Sequence, residues 1–346
     1  MKTLGYYNGK FGPLEEMTVP MNDRACYFGD GVYEATLARN GKIFALKDHL
    51  DRFFNSAGLI KIDIPYTKDE LAAILYDMLA KMDDKDIFIY WQMTRGTGIR
   101  QHQFPEKGTK PNLWIFMKPG KPADSGKRLK LTDMEDTRFL HCNIKTLNLL
   151  VNVMAAEKAE SLGCGECVFH RGDIVTECAH SNVSIIKDGV FKTHPTDHYI
   201  LPGITRMHII QICKDNGIIV DETPFTMAEL MDADEIIVSS STKFCSPACE
   251  MNGTPIGGKA PELVDLIQKK YTEKFENETI QKSIPDRLRR WDFYLPAQVF
   301  LRSAQQVRRP TEQLPLSIFS LEHASNSKLH PVLGNGSSRY RHSCIL

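Results

Sequence analysis

The sequence predicts an α+β / α/β protein of two domains, and three observations carry that prediction. Asp86–Thr94 and Asn112–Met117 read as long apolar strands, with two amphipathic helical stretches ahead of them. Pro119–Gly126 contains two prolines and two glycines, as a linker does. Beyond it, short strands alternate with helical patterns to about residue 282. The expected organisation is an N-terminal α+β domain over 1–119, a linker at 120–126, a C-terminal domain over 127–282 and a low-order extension over 283–346.

In order along the chain, Asn8-Gly9 predicts a hairpin turn. Phe28–Glu34 leads into a strand ending at Arg39, and Asn40-Gly41 turns it into a strand at 42–46. Asp48 is placed to cap a helix with Leu50, Phe53, Phe54, Ala57 and Ile60 on its apolar face; Arg52 falls on the opposite, solvent side. Thr67 and Glu70 form a capping box for a second helix, with Leu71, Ile74, Leu75, Met78 and Leu79 on one stripe. After the linker, strands are expected at 128–134 and 138–145, then a helix at 148–162 striped by Leu149, Val153, Ala156 and Ala159. Hairpins follow around Arg171-Gly-Asp173 and Asp188-Gly189. Gly203 opens a helix, Glu235–Val238 is a strand, Asn252-Gly253 turns a hairpin and Pro261–Phe275 closes the body as a helix. Past residue 282 arginine displaces lysine, serine and proline increase, and no periodicity lasts.

Composition narrows the function. Acidic and basic residues balance at 43 each, which argues against nucleic acid or an anionic membrane as a partner. No apolar run is long enough to span a bilayer, and the first residues lack a signal-peptide core. With that, nine cysteines read as reduced thiols of a cytoplasmic protein. Cys164-x-x-Cys167 and Cys245-x₃-Cys249 have spacings that zinc uses, but no histidine pair matches them, so no metal is expected.

Five polar features are candidates for chemistry. Lys145 stands between apolar residues where the expected strand meets the expected helix; desolvation there favours a neutral, nucleophilic amine, against the alternative of a lysine that snorkels to water. Glu177 ends a strand and suits a proton on a heterocyclic nitrogen. Gly203-Ile204-Thr205 offers free N–H groups as a phosphate seat. Ser239–Thr242 places hydroxyls at a strand's carboxyl end. Arg100 and His102 sit together in a long loop, where both suit one anionic group. A solvent-facing turn or loop is the alternative for each of the last four. Together they match the needs of one cofactor, pyridoxal 5'-phosphate.

The chain resembles fold-type IV (class IV) pyridoxal-phosphate aminotransferases, and within them the D-amino-acid branch. The resemblance runs from about residue 3 to 280. Tyr27–Glu34, Ile64–Asp69, Thr94–Thr97 with Arg100, His102 and Gln103–Glu106, and Asn143–Leu150 carry it, followed by Val175–Glu177, Ser181–Val183, Gly203–Arg206 and Ser239–Thr242. It implies a cofactor in an interdomain cleft, with Lys145 as Schiff base and proton shuttle and Glu177 on the pyridine nitrogen. Arg52, Ile204, Thr205, Ser240, Ser241 and Thr242 fall at the phosphate, which corrects the solvated reading of Arg52. Tyr33, Arg100 and His102 match a trap for the substrate carboxylate, the last two supplied by a neighbouring subunit, so a homodimer with shared active sites is implied. The expected reaction is D-alanine plus 2-oxoglutarate to pyruvate plus D-glutamate, by two half-reactions through the pyridoxamine form.

The chain departs from that branch at Leu37, at Cys178-Ala179-His180 and at Leu201-Pro202, all expected near the substrate side. An L-branched-chain aminotransferase, an aminodeoxychorismate lyase and a non-catalytic cofactor-binding protein are the competing readings. The Arg-x-His pair and the Val-Tyr-Glu strand favour the D branch over the first. No chorismate-type aromatic pocket is recognisable for the second, and intact Lys145 and Glu177 oppose the third.

Overall fold

The structure is a computed structural model that describes residues 2–124 and 126–280; the extension expected over 283–346 lies outside the described residues. The first sheet has six strands: β1 (Leu4–Tyr7), β2 (Lys10–Gly12), β3 (Gly31–Arg39), β4 (Lys42–Ile43), β5 (Asp86–Thr94) and β6 (Asn112–Pro119). Their order is β2-β1-β6-β5-β3-β4, antiparallel throughout. The β1–β2 turn has φ of 46° at Asn8 and 93° at Gly9, the doubly left-handed geometry that Asn-Gly prefers.

Three α-helices belong to this half. Helix α1 (Arg24–Phe28), which the sequence did not announce, is capped by Asp23, whose carboxylate accepts from Ala25 N. Helix α2 (Leu46–Leu59) starts three residues earlier than expected, after Ala45 in a left-handed conformation. Asp48 is therefore inside the first turn, and its carboxylate meets His208 Nε2 at 2.8 Å instead of capping. Helix α3 (Lys68–Leu79) carries the expected capping box between Thr67 and Glu70. Leu50, Phe53, Leu71, Leu75 and Met78 pack with Ile89, Trp91 and Met93 into the core of this half.

The second sheet begins with β7 (Leu129–Glu135). The strand expected at 138–145 is absent: those residues form an irregular loop, with Phe139 and Leu140 exposed. Helix α4 (Leu150–Ser161) follows, and its buried positions are Ala155 and Ala159; Val153, expected on the inner stripe, is 61% exposed. Then come β8 (Glu166–Arg171), β9 (Ile174–Cys178), β10 (Asn182–Lys187), β11 (Val190–Thr193), α5 (Ile204–Asp215), β12 (Ile219–Asp221), α6 (Met227–Asp232), β13 (Glu235–Ser240), β14 (Phe244–Met251), β15 (Thr254–Pro255) and α7 (Pro261–Thr279). The strand order is β12-β11-β10-β13-β14-β7-β8-β9, with β15 added to β14. Pairings β11–β12, β14–β7 and β7–β8 are parallel. Leu37 and Phe44 from the first half pack with Ile204, Ile209, Phe244 and Phe275, so one apolar cluster joins the two sheets. No helix among the described residues is long and apolar enough to cross a membrane.

Candidate active site

A cavity of about 300 Å³ opens between the two sheets. Its wall is built from both halves: Tyr33 and Arg52 from the first, Lys145, Glu177, Gly203–Thr205 and Ser239–Thr242 from the second. Nine of the expected site residues (Tyr33, Arg52, Lys145, Glu177, Ile204, Thr205, Ser240, Ser241 and Thr242) therefore share one space. Arg100 and His102 are not part of it. Both are exposed and lie against the Phe28 ring, the guanidinium 5.4 Å and the imidazole 5.3 Å from its centre.

Lys145 is positioned by backbone docking rather than by a strand of its own. Its carbonyl accepts from Tyr33 N at 3.0 Å, and Leu147 N donates to Gly31 O at 3.0 Å. Val32 and Thr146 form a bridge, and Lys145 N donates to Ser56 Oγ at 3.2 Å. This close approach needs glycine at 31: a Cβ there would lie 2.6 Å from Met93 O and 2.7 Å from Leu147 Cδ1. The ammonium sits over the Tyr33 ring, 4.2 Å from its centre.

Glu177 is the next-to-last residue of β9, with its carboxylate buried and fully bonded. Oε1 accepts from Arg138 Nη1 at 2.5 Å; Oε2 accepts from Asn182 Nδ2 and from Leu201 N, each at 3.0 Å. Burial pushes its pKa up, and the Arg138 guanidinium opposes that push. Arg138 is in turn paired with Asp136, at 2.9 Å through both Nε and Nη2. Sequence patterning missed Arg138, because it lies in the loop taken for a strand.

Arg52 corrects the periodicity reading: it is buried, not solvated. Its Nε and Nη2 donate to the two oxygens of Glu34 at 2.7 and 2.9 Å, and Nη1 donates to Pro202 O at 3.0 Å. His49 Nδ1 meets Glu34 as well, at 2.8 Å. Burial by itself would raise the Glu34 pKa, but the Arg52 guanidinium and His49 hold it well below the usual carboxylate range. Sequence patterning singled out neither Glu34 nor His49 as a functional residue; Glu34 figures there only as the end of the Tyr27–Glu34 stretch.

The remaining wall is rich in unused donors. Helix α5 begins at Gly203 without a side-chain cap, so the first N–H groups remain open toward the cavity residues. Ser239 Oγ is buried with no hydrogen-bond partner. A Cβ at Gly203 would lie 1.9 Å from Asn182 Oδ1, so only glycine keeps Asn182 on Glu177. Of the departures, Leu37 lies in the core away from the wall, whereas His180 lines it. Phe88, Tyr90 and Asn152 complete parts of the wall that the sequence did not point to.

Comparison with known proteins places this arrangement. The profile described as Amino-transferase class IV matches residues 31–251. A D-alanine aminotransferase of Staphylococcus haemolyticus is 40% identical over 79% of this chain and 98% of its own length. One from Listeria monocytogenes serotype 4b is also 40% identical, over 75% of this chain and 92% of its own. Among solved structures, a branched-chain aminotransferase from Thermoproteus uzoniensis, crystallised with norvaline, superposes with a TM-score of 0.71 at 25% identity, covering 80% of this chain and 96% of that one. The match spans β3 to β14 and so contains every wall residue named for the cavity, from Tyr33 to Thr242: the chain belongs to the class IV aminotransferase family.

Proposed function

We propose that the protein is a D-amino-acid transaminase that transfers the amino group of D-alanine to 2-oxoglutarate, giving pyruvate and D-glutamate. One observation carries this reading: Lys145, buried Glu177 and the open start of α5 face a single cavity. The D preference draws on the 40% identity to D-alanine aminotransferases, against 25% to the branched-chain structure.

Pyridoxal phosphate is the cofactor, and the residues present fit it. The orphaned Ser239 hydroxyl, the uncapped α5 N-terminus and the space kept by Gly203 form a cradle for a phosphate next to a ring-sized volume. Arg52, Ile204 N–H, Thr205 N–H, Ser240, Ser241 and Thr242 would hold the phosphate. When bound, the cofactor supplies an electron-accepting ring that makes the substrate's α-proton acidic. Glu177 keeps a proton on the ring nitrogen, and Arg138 keeps Glu177 aimed. Lys145 Nζ would hold the cofactor at its aldehyde carbon and, when free, would carry the proton to and from the substrate α-carbon. Tyr33 contributes to holding the substrate carboxylate.

Arg100 and His102 enter this reading from a second copy, which makes the enzyme a homodimer with shared sites. Two features support that. Neither residue lines the cavity of its own chain. An exposed apolar group, Phe139, Leu140, Leu150, Val153 and Met154, adjoins the Lys145 loop and α4. The unpaired cysteines of the described residues suit a reducing compartment, the cytoplasm.

A half-reaction followed by absorbance tests the function. The protein is loaded with pyridoxal phosphate, and D-alanine or L-valine is added without a keto acid. D-alanine alone should convert the pyridoxal band to the pyridoxamine band. Conversion by L-valine instead would replace the reading with a branched-chain aminotransferase, and conversion by neither would point to the lyase.

A further inference from the structure

Two histidines line the cavity without a part in the chemistry above, His141 and His180. Only His180 is tied to a buried carboxylate. Its Nδ1 lies 3.2 Å from Oε1 of Glu166, a fully buried residue at the start of β8. The same carboxylate accepts from Ser181 Oγ at 2.7 Å and from Lys243 Nζ at 3.0 Å. Burial would raise the Glu166 pKa, but His180, Lys243 and Ser181 together hold it at about 2.

The backbone of this turn is pinned from three sides. Cys178 N donates to Ser181 O at 2.7 Å, Ala179 N to Cys167 O at 2.9 Å, and Asn152 Nδ2 to Ala179 O at 2.7 Å. The imidazole is thus held at the cavity wall, half exposed. The ring thus turns its Nδ1 edge toward Glu166, which leaves the Nε2 edge for a ligand. Among the described residues Nε2 has no protein partner.

The charge balance of the wall favours an anionic guest. Glu177 is the sole acidic side chain among the described lining residues, and Arg138 neutralises it. Lys243 offsets Glu166, so that carboxylate leaves no net negative charge behind the His180 ring. Tyr33, Phe88 and Tyr90 form an aromatic part of the wall, and beyond Arg52, Arg138 and Lys145 the basic side chains among the described lining residues are His180 and His141, which no carboxylate backs.

Resting on the transaminase reading above, we propose that His180 is a specificity-determining residue that binds the distal carboxylate of dicarboxylic substrates, D-glutamate and 2-oxoglutarate, through Nε2. In that contact Nε2–H donates to the incoming carboxylate while the Nδ1 edge stays on Glu166. A monocarboxylic substrate such as D-alanine has no group to use this contact.

The test uses the pyridoxal-phosphate enzyme and two conservative variants. His180→Asn keeps a donor near Glu166 but removes the Nε2 position; His180→Gln keeps a neutral donor near Nε2. The quantity measured is the ratio of kcat/KM for D-glutamate to that for D-alanine, together with the inhibition constant of glutarate. His180→Asn should lower the ratio about tenfold and weaken glutarate by a similar factor, as loss of one charge-assisted hydrogen bond does. His180→Gln should recover part of both. A parallel loss on both substrates, or an unchanged ratio with unchanged glutarate binding, overturns the proposal. If the wild type turns over L- and not D-amino acids, the D reading fails, and the same ratio between L-glutamate and L-alanine decides the role of His180 by the same criterion.

Discussion

Arg52 reaches the cavity because Glu34 receives it. Glu34 is fully buried on β3, and its two oxygens take both Nε and Nη2 of Arg52 while His49 closes the third side. A lone guanidinium at that depth would be costly, and removing one partner of a buried pair leaves the other uncompensated. Glu34→Gln keeps the shape and loses the charge. It should weaken pyridoxal-phosphate binding about tenfold and destabilise the fold by about 3 kcal/mol. Cofactor titration and a melting curve check both; an unchanged cofactor affinity would show that Glu34 supports the fold without aiming Arg52. The helical stripe misplaced Arg52 because it assumes that only one helix face is buried. Helix α2 buries His49, Arg52 and Ser56 on its polar side as well, against β3 and the Lys145 loop. The partners lie 15 and 18 residues away, beyond the reach of local periodicity. Lys145 and Glu177 were weak candidates on local pattern alone; the family resemblance singled them out, and both line the cavity.

At the scale of elements, most strands and turns were written locally. The Asn-Gly and Asp-Gly turns at 8–9, 40–41, 188–189 and 252–253 all adopt positive φ at both residues. The failure is instructive at 138–145, expected as a strand. Leu140, Cys142 and Ile144 alternate as a strand would, yet Cys142 is buried while Leu140 faces out, because the segment's hydrogen bonds go to β3 and to the 198 region instead of a ladder. An apolar alternation at an uncovered surface looks the same as one in a sheet. The start of α5 shows the reverse case, a position whose need for glycine is spatial. Gly203 has φ of −64°, which any residue adopts, but its missing Cβ makes room for Asn182. Gly203→Ala should push Asn182 off Glu177, destabilise the protein by about 1–3 kcal/mol through overpacking and reduce cofactor affinity. Differential scanning calorimetry and cofactor titration would read this; normal values for both would mean that Asn182 relocates without consequence.

Viewed as one molecule, the cavity gathers nine of the eleven expected site residues. Lys145, buried Glu177 and the open start of α5 share the wall, whereas Arg100 and His102 lie outside it, against Phe28. Near the Lys145 loop, Leu150, Val153 and Met154 expose an apolar face of α4 whose opposite side carries Asn152 and the 178–181 turn. A second copy over that face would cover the apolar group and bring a cationic loop to the open side, the isologous arrangement that two-fold symmetry allows. Complementation separates this from a site completed within one chain. Lys145→Ala and Arg100→Ala are each expected to be nearly inactive at low substrate. In a mixed dimer with Arg100 shared across subunits, one site carries both defects and the other carries none. Co-expression with random pairing should then restore about a quarter of wild-type activity, since half of the dimers are mixed and each has one intact site. No recovery, with mixed dimers demonstrated by two different affinity tags, would place Arg100 in the same chain as the Lys145 it serves. The 99–106 loop would then have to swing away from Phe28 to reach the cavity.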